Sequence, residues 1–442
     1  MIDKEPIIHV GIVEGRIEIR GTFNGPFDIL GRSVQAGSFR AYIQEEGVIL
    51  SVGTETIVCI DGVSCRTTDN ATFSLEDVTI GVHFHWERKE RQTFTGNLIM
   101  KAGDDGTLMA INELLLEDYL TSVVSSEMNG EAPHEFLKAH AIASRSWLAA
   151  MLERLDQTAA ISPSGRQESV RDGEIIRWYG EDHRHFHVCA DDHCQRYQGV
   201  TRMTGGQAAH AVAATRGIFL TYGDQVCDAR YYKACGGLTE NFENAWEDRP
   251  IPYLTSISDA PEPFRPITTE EEARAWIFSR PPAYCNAADA RLLARILPDF
   301  DRETTDFFRW EVRYARETLE DLLKRKSAID FGTLHDLIPL ERGSSGRIIR
   351  LKIVGSKQTV VVGKELEIRR WLSESHLYSS AFVVSVDRDA SGMPVSFTID
   401  GAGWGHGVGL CQIGAAVMAD RGFSAEAILR HYFPAAALKR FY

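Results

Sequence analysis

One carboxylate stands out because it lies among apolar residues at helical spacing. Glu127 ends the segment LLLEDYLTSVVSSE, and its side chain falls on the same helical stripe as three apolar ones. Those are Leu116, Leu120 and Val123. A carboxyl group among apolar side chains tends to keep its proton, as a general acid must, so the pattern makes Glu127 a candidate acid. Four other carboxylates fall on other faces or in a turn and are interpreted as solvated or capping groups: Glu117, Asp118, Glu131 and Glu135.

The segment EDHRHFHVCADDHCQRYQG at 181–199 concentrates metal-ligand side chains. Of the eight cysteines, only Cys189 and Cys194 are predicted to form a cluster with other ligand types. Together with His193 they follow a group of three histidines. These histidines are His183, His185 and His187. Two thiolates and two imidazoles form a closed tetrahedral zinc site of the structural kind. The alternative is a histidine-rich surface loop with a reduced cysteine pair.

Two further segments combine glycines with side chains that could contact a ligand. In ARYYKACGGLTEN at 229–241, strand alternation sends Tyr231 and Lys233 to one side and Tyr232 to the other. The pair either contacts a ligand or belongs to an ordinary edge strand, and Glu240 is interpreted as a structural loop residue.

In GAGWGHGVGLCQIGAA at 401–416, alternate glycines surround Trp404 and His406, and Gln412 lies in a helix that is predicted to begin near Leu410. No GK[ST] follows the glycines, which argues against a phosphate loop. Trp404 and His406 either line a cleft or lie in a tight, buried junction.

The elements that must position Glu127 form a predicted helical hairpin. After a turn at Asn129-Gly130, Pro133 can occupy the first position of a second helix. One face of that helix carries Leu137, Ala141, Arg145 and Leu148. The hairpin aims Glu127 and Arg145 at each other or at one cleft. They form either a buried ion pair that joins two helices or part of an active site.

The remaining pattern predicts an α+β protein, with small antiparallel sheets or barrel-like β modules around the central helical hairpin. Residues 7–100 alternate like strands. The polar stretch at 155–182 is predicted to be a surface excursion. Helical patterns follow at 268–279, 286–296 and 317–325, and strand patterns return at 344–400. The predicted domains are a β module (1–95), a core with the hairpin and the zinc loop (96–260), an accessory region (261–400) and a C-terminal block (401–442).

Composition limits the partners of this 442-residue chain. Its net charge of −14 argues against nucleic acid and fits an uncharged sugar chain better. No apolar run approaches 18 residues and the N-terminus alternates like a strand, so the sequence predicts no membrane span and no signal peptide is visible. Cys59 and Cys65 flank a predicted turn at Asp61-Gly62 and are either a disulfide pair or two free thiols.

Three ordered blocks resemble the stage II sporulation protein D family of bacterial peptidoglycan lytic transglycosylases and the related amidase enhancers. The first is LEDYL-x-x-VV-x-x-EM followed by K-A-x-A-x-A-x-R, at 116–145. The second is ATRGIFLTYGDQVCDARYYKACGGLTEN with AWEDRPIPYLTSI, at 214–257. The third is GAGWGHGVGLCQIGAAVMADRGFSAEAILRHYFP, at 401–434. The resemblance covers most of residues 95–260 and about the last 45.

The resemblance implies roles for these residues. The family's catalytic acid/base matches Glu127, and Arg145, Tyr231 and Lys233 match positions implicated at its active site. The matching reaction cleaves the glycosidic bond of peptidoglycan glycan strands, in this family strands already stripped of stem peptides, and closes a 1,6-anhydro ring on muramic acid. Some members carry a structural zinc, whose spacing selects His183, although the gap after Cys189 is one residue shorter here. Trp404, His406, Gln412 and Tyr232 are expected to line the sugar cleft.

Two other functions remain open at this point. The protein could be a glycan-binding amidase enhancer that stimulates a separate cell-wall amidase and does not need Glu127. It could also be a zinc amidase, but this requires an open coordination position, which four protein ligands do not leave. By resemblance the protein acts in the cell envelope, and the family name is no evidence for a role in sporulation.

Overall fold

The computed structural model describes residues 2–44, 47–60, 62–82, 87–158, 167–171, 173–178, 183–203, 205–287 and 289–442. The chain forms two compact units, each assembled from stretches that are separate in sequence. The first unit comprises Met1–Arg145, Glu181–Ile218 and Arg440–Tyr442, and the second comprises Ser146–Gly180 and Phe219–Lys439. The domain boundaries predicted at residues 95, 260 and 400 concern functional modules and stay predictions.

The first unit contains two sheets. Their strands are β1 (Ile7–Arg16), β2 (Glu18–Phe23), β3 (Phe27–Ile29), β4 (Arg32–Val34), β5 (Gly37–Gln44), β6 (Gly47–Val52), β7 (Glu55–Cys59), β8 (Val63–Thr67), β9 (Phe73–Ile80), β10 (Arg88–Phe94), β11 (Asn97–Ala102), β12 (Leu108–Leu115) and β15 (Val188–Cys189). One sheet has the order β15-β1-β12-β11-β8-β3-β4 and the other β10-β9-β2-β5-β6-β7. The alternation at 7–100 thus folds into open antiparallel sheets, and only β15 runs parallel to its neighbour β1.

Aromatic side chains connect these sheets to the helix that carries Glu127. Phe73 stacks on Phe94 at 5.4 Å between ring centroids, Phe94 on Tyr197 at 6.0 Å, and Tyr197 on Tyr119 at 5.2 Å. Tyr119 is fully buried, and each such ring removes a large apolar area from water. This series of stacked rings fixes the helix against the β core of this unit.

The predicted helical pair is present. Helix α1 spans Leu116–Glu127, and helix α2 spans His134–Thr158 and runs from the first unit into the second. A short turn separates them, closed by the Ala132 amide, which donates to the Asn129 carbonyl at 3.0 Å. Helix α3 (Gln207–Ala214) completes the first unit and packs against α1.

The second unit is built from smaller sheets. Its strands are β13 (Gln167–Arg171), β14 (Glu174–Trp178), β16 (Ile218–Tyr222), β17 (Gln225–Val226), β18 (Tyr231–Tyr232), β19 (Arg309–Ala315), β20 (Leu334–Arg342), β21 (Ile348–Gly355), β22 (Thr359–Gly363), β23 (Phe382–Arg388), β24 (Pro394–Ala402), β25 (Leu410–Cys411) and β26 (Ala437–Arg440). They form the sheets β13-β14-β22-β21-β20, β17-β16-β26, β18-β25 and β19-β24-β23. This arrangement confirms the predicted α+β class.

Helices of the second unit pack on these sheets. They are α4 (Glu270–Ile277), α5 (Ala290–Ile296), α6 (Arg316–Ser327), α7 (Glu365–Trp371), α8 (Gln412–Asp420) and α9 (Ala425–Tyr432), with short 3-10 turns at Phe242–Asn244 and Asp299–Glu303. Helix α4 begins with a capping box, in which Thr269 and Glu272 satisfy each other's backbone amides. The three helical patterns predicted between 268 and 325 are therefore confirmed. Leu319 and Leu323 of α6 and Trp371 of α7 are fully buried in the core of this unit.

The prediction for residues 155–182 is wrong where the structure describes them. Strands β13 and β14 form a hairpin, and β14 pairs in parallel with β22 through Glu174 opposite Val361. The β-branched and aromatic residues of EIIRW were the available signal. Residues 159–166, 172 and 179–182 lie outside the described part of the chain.

Two predictions on cysteines and membrane spans can be compared with the structure. Cys59 and Cys65 are free, buried thiols, although Asp61 of the predicted turn between them lies outside the described residues. Of the helices that the structure describes, none combines the length and the hydropathy that a membrane span requires.

Candidate functional site

Glu127 is the last residue of α1, and its side chain points inward as the stripe predicts. It is 8% exposed, whereas the three apolar residues on its stripe are fully buried. Its Oε1 accepts a hydrogen bond from the backbone amide of Arg196 at 3.0 Å. This bond fixes the orientation of the carboxyl group, which is a requirement for an acid that must reach one atom of a substrate.

Arg145 is paired with Glu117, which corrects two interpretations. Its Nε and Nη2 donate to the two carboxylate oxygens of Glu117 at 3.0 and 2.6 Å, and its Nη1 donates to the Ile218 carbonyl at 3.1 Å. Arg145 is fully buried and Glu117 is 7% exposed. Glu117 is therefore not a solvated carboxylate, and the buried pair that joins the helices is Glu117–Arg145, not Glu127–Arg145.

The predicted metal ligands lie together in the first unit. The ligand atoms of His183, Cys189, His193 and Cys194 are all within 4.8 Å of one another. His183 Nε2 lies 3.2 Å from Cys194 Sγ, which in turn lies 3.5 Å from His193 Nδ1. Tetrahedral sites with metal–sulfur bonds of about 2.3 Å and metal–nitrogen bonds of about 2.0 Å have nitrogen–sulfur edges of about 3.5 Å. The donor set and its spacing therefore fit a metal ion with four protein ligands.

The three histidines of the segment have different surroundings. His187 Nδ1 accepts the backbone amide of His9 at 3.1 Å, and the two rings stack. His185 faces Asp104 at 3.6 Å. Only His183 of the three reaches the cysteines, as the resemblance implied. The thiol of Cys189 has a lowered pKa because Cys194 and His183 hydrogen-bond to it, although burial opposes them.

The Cys/His segment continues directly into the residue that holds Glu127. After Cys194, Gln195 accepts from the Tyr119 hydroxyl at 3.1 Å and donates to the Ser144 carbonyl at 3.2 Å. The amide of Arg196 reaches Glu127, and the Tyr197 hydroxyl donates to Asn112 Oδ1 at 2.5 Å. Three successive residues thus connect the metal-ligand segment to helices α1 and α2 and to strand β12 within this unit.

The strand residues Tyr231, Tyr232 and Lys233 belong to the second unit. Strand β18 pairs in parallel with β25, so Tyr231 lies opposite Leu410. Lys233 Nζ forms an ion pair with Asp301 Oδ2 at 2.7 Å, and both side chains are mostly buried. The Tyr232 hydroxyl is buried, and among the described residues it has no hydrogen-bond partner.

The glycine-rich segment forms a tight junction in the same unit. The backbone of Trp404 pairs with that of Ala234 in both directions, and its ring packs 4.2 Å from that of Tyr378. His406 Nε2 donates to the Tyr231 carbonyl at 3.0 Å while its Nδ1 accepts the Val408 amide at 3.1 Å, which fixes its neutral tautomer. Burial, followed by the charge of Arg230, lowers the pKa of His406 well below its usual range. Gln412 is 2% exposed.

Glu240 is held as the sequence suggested. Its two oxygens accept from backbone and side-chain groups of two segments, 241–244 and 344–345, including the Ser345 hydroxyl at 2.6 Å and Asn244 Nδ2 at 2.7 Å. A buried carboxylate with this many donors is satisfied as a structural group.

Sequence reasoning missed several polar partners. Asp301 gave no signal because its 3-10 turn is 68 residues from Lys233 in sequence. Sequence reasoning also missed a second cluster, which lies in the second unit. In this cluster the ligand atoms of Cys235, Asp259, Cys285 and Cys411 lie within 4.8 Å of one another. The prediction that only Cys189 and Cys194 lie among other ligand types is therefore wrong.

Comparison with known proteins matches two parts of the chain. Residues 104–222 match the family model described as Stage II sporulation protein, and residues 240–409 match Domain of unknown function (DUF8618). Residues 104–222 are therefore similar to a domain of the stage II sporulation protein D family. This domain contains Glu127, Arg145 and the Cys/His cluster, whereas Trp404 and His406 fall in the other match.

Curated relatives agree with this family. The chain is 25% identical to Stage II sporulation protein D of Bacillus amyloliquefaciens and 24% identical to that of Bacillus subtilis. Each alignment covers 73% of this chain and 74% of the relative. It is also 25% identical to the Amidase enhancer of Bacillus subtilis, over 52% of this chain and 32% of that protein.

Proposed function

We propose that this protein is a lytic transglycosylase that cleaves the MurNAc–GlcNAc bond of peptidoglycan glycan strands, with Glu127 as its acid/base. The observation that carries the proposal is the placement of Glu127 within the matched domain. It ends a buried helix, and a backbone amide orients its carboxyl group. The resemblance of LEDYL-x-x-VV-x-x-EM to the family's catalytic segment supplies the reaction.

Glu127 would act twice in this reaction. Its carboxyl group donates a proton to the bridging oxygen as the bond from that oxygen to C1 of muramic acid breaks. The resulting carboxylate takes the proton of the C6 hydroxyl, whose oxygen bonds to C1 and closes the 1,6-anhydro ring. No water attacks, so the second carboxylate that hydrolysing glycosidases use is not required.

The other predicted site residues have proposed roles that follow from their surroundings. Because Arg145 is fully buried against Glu117, we assign it to positioning α1, which carries Glu127. For Tyr231 and Lys233 the basis is the resemblance: they are proposed to contact glycan through the ring and the ammonium group, and the lysine side chain is mostly buried in its ion pair with Asp301. Both ring nitrogens of His406 are used by the backbone, so it would hold the loop that presents Trp404. Tyr232 and Gln412 are buried and would support that junction.

We propose zinc as the ion of His183, Cys189, His193 and Cys194, because two thiolates and two imidazoles are a zinc donor set. Bound there, zinc would cross-link the segment that leads to Arg196. Four protein ligands leave no position for a reactive water, so we assign the ion a structural role and do not propose a zinc amidase.

A second function has an observation of its own. The similarity to the Amidase enhancer favours a glycan-binding protein that stimulates a partner N-acetylmuramoyl-L-alanine amidase. Either function places the protein in the cell envelope. The two differ in whether Glu127 is needed.

The test incubates peptide-free glycan strands with the protein and with Glu127→Gln, and scores 1,6-anhydro against reducing ends by mass spectrometry. Glu135→Gln is the matched control, since it removes a carboxylate that pairs with Lys138 on α2. Anhydro ends that disappear only in Glu127→Gln are expected. Reducing ends would mean hydrolysis. No cleavage by folded, metal-loaded protein, with undiminished stimulation of an amidase by Glu127→Gln, would favour the enhancer.

A further inference from the structure

The second unit contains a buried cluster of three thiols and one carboxylate. Cys235, Cys285 and Cys411 are 2% exposed or less, and Asp259 is fully buried. The ligand atoms of all four lie within 4.8 Å of one another, and the sulfurs of Cys235 and Cys285 are 3.4 Å apart. Tetrahedral zinc–thiolate sites have sulfur–sulfur edges of about 3.8 Å, since each zinc–sulfur bond is about 2.3 Å. The cluster has nearly this size.

Backbone amides point at the sulfurs. The Cys235 amide donates to Cys411 Sγ at 3.3 Å, the Gly237 amide to Cys235 Sγ at 3.3 Å, and the Gly414 amide to Cys411 Sγ at 3.4 Å. Burial raises the pKa of each of the three thiols. Hydrogen bonds to sulfur act in the opposite sense, because they favour the thiolate, which is the form that binds a metal. Gly236 and Gly237 have φ of +79° and +115°, which only glycine adopts readily and which lets the second amide turn back to Cys235.

Asp259 is held in position for a fourth ligand. Its Oδ2 accepts the Cys285 amide at 2.8 Å and its Oδ1 accepts the Tyr432 hydroxyl at 2.5 Å, and each oxygen keeps a second lone pair for a cation. The approach depends on Gly414, because a Cβ there would lie 2.3 Å from Oδ1 of Asp259.

A buried cation beside the cluster points to negative charge in it. Arg309 is 9% exposed, and among the described residues its hydrogen bonds all go to carbonyl oxygens, including that of Gly236 at 3.0 Å. Burial lowers the pKa of Arg309 to about 10, and the neighbouring thiols Cys285 and Cys235 oppose this shift. Because a buried charge without a counter-charge is costly, thiolates held by a metal would compensate it.

We propose that Cys235, Asp259, Cys285 and Cys411 form a second, structural zinc site, distinct from the Cys/His cluster of the first unit. The four ligands come from residues up to 176 positions apart and lie next to the paired strands β18 and β25. The ion would therefore fix the junction between ARYYKACGG and GAGWGHG, which carries Tyr231, Lys233, Trp404 and His406.

The test counts metal by native mass spectrometry on the full chain, purified with reductant and supplied with zinc. The Cys189→Ser/Cys194→Ser variant, which lacks both thiols of the first cluster, is expected to keep one zinc per chain. Adding Cys411→Ser is expected to remove it, while serine still caps α8. Cys227→Ser, which changes another fully buried thiol of the same unit outside the cluster, is expected to lose none.

Two results would overturn the proposal even where Cys411→Ser fails to fold. The first is that the Cys189→Ser/Cys194→Ser protein, shown by circular dichroism to be folded, binds no zinc or binds cobalt(II) without a thiolate-to-cobalt charge-transfer band. The other is a Cys235–Cys285 disulfide in the peptide map of the protein as purified, which would make the cluster a redox pair. The proposal is supported if the thiolate-to-cobalt charge-transfer band disappears in Cys411→Ser. If Cys411→Ser does not fold, Cys285→Ser serves as the variant for the same measurement.

Discussion

The charge of Arg145 is buried completely and compensated by one carboxylate. Glu117 accepts two parallel hydrogen bonds from the guanidinium, and it also accepts the Tyr442 hydroxyl at 2.8 Å. Such a bidentate pair is geometrically specific, and neither partner is tolerated alone in a low-dielectric interior. The pair therefore links α1, α2 and the last residue of the chain within the first unit.

Breaking this pair should cost more than removing it. We expect Glu117→Gln and Arg145→Met each to lower the free energy of unfolding by about 3–5 kcal/mol, because each leaves a buried polar group or charge unpaired. The double variant should lose less than the sum. Urea denaturation followed by fluorescence measures this, and Glu135→Gln/Lys138→Met, which removes a partly exposed pair on α2, should change stability by about 0.5 kcal/mol at most. Additive losses in the double variant would contradict the coupling.

At the level of single residues, the sequence predicts burial better than it predicts partners. The 3.6-residue period placed Glu127 and Arg145 on buried faces, and both are buried. The period could not reveal that Glu117 is the partner of Arg145. Helix α1 is buried on nearly all sides, so a residue outside the apolar stripe of Glu127 need not face solvent. Lys233 and Asp301 met through folding over 68 residues, which leaves no local signal.

Among the elements, the metal-ligand segment of the first unit acts as a support for α1. Strand β15 ties its start to β1 through Val188 opposite Val10, and the ligands Cys189 and Cys194 bracket a tight turn. The ligand types and spacing made the cluster predictable. The bond from Arg196 to Glu127 was not predictable, because it depends on how this turn packs on α1.

Losing the metal ligands should therefore loosen the segment and disorient Glu127. In Cys194→Ser we expect amide hydrogen exchange in residues 190–203 to become at least about ten-fold faster, because local opening would no longer have to break the proposed metal cross-link. Anhydro-product formation should fall with it. Cys65→Ser, which alters a fully buried thiol of the same unit outside the cluster, is the control for generic damage. If Cys194→Ser loses the metal but its amide hydrogen exchange in residues 190–203 is unchanged, the segment is ordered without the metal and the prediction is wrong.

At the scale of the whole molecule, the sequence predicts elements and their order but not their assembly into units. The strands at 7–100 and the helices after 268 arise from local periodicity and were predictable. The first unit, however, combines β1 with β12 about a hundred residues later and with β15 beyond that. Pairing of distant strands is specified by packing over the whole fold. For the same reason the four residues of the second cluster could not be grouped from their spacing.

The second unit contains two histidines that folding keeps neutral, and its stability should depend on pH accordingly. Burial lowers the pKa of His431, and burial together with Arg230, Arg369 and Arg347 lowers that of His406. Each contribution is fully present above the unfolded pKa of about 6.5 and is lost as the pH falls toward the folded value, because the unfolded chain then binds more protons. The free energy of unfolding should therefore fall below pH 6.5, by up to about 1.4 kcal/mol per pH unit for each histidine.

We expect His406→Gln to lower the free energy of unfolding at pH 7.5 but to flatten its pH dependence, measured by urea denaturation from pH 5 to 8. The control His210→Gln, which changes an exposed histidine of the first unit, should leave the pH dependence unchanged. Equal slopes in the wild type and His406→Gln would mean that His406 takes up no extra proton on unfolding.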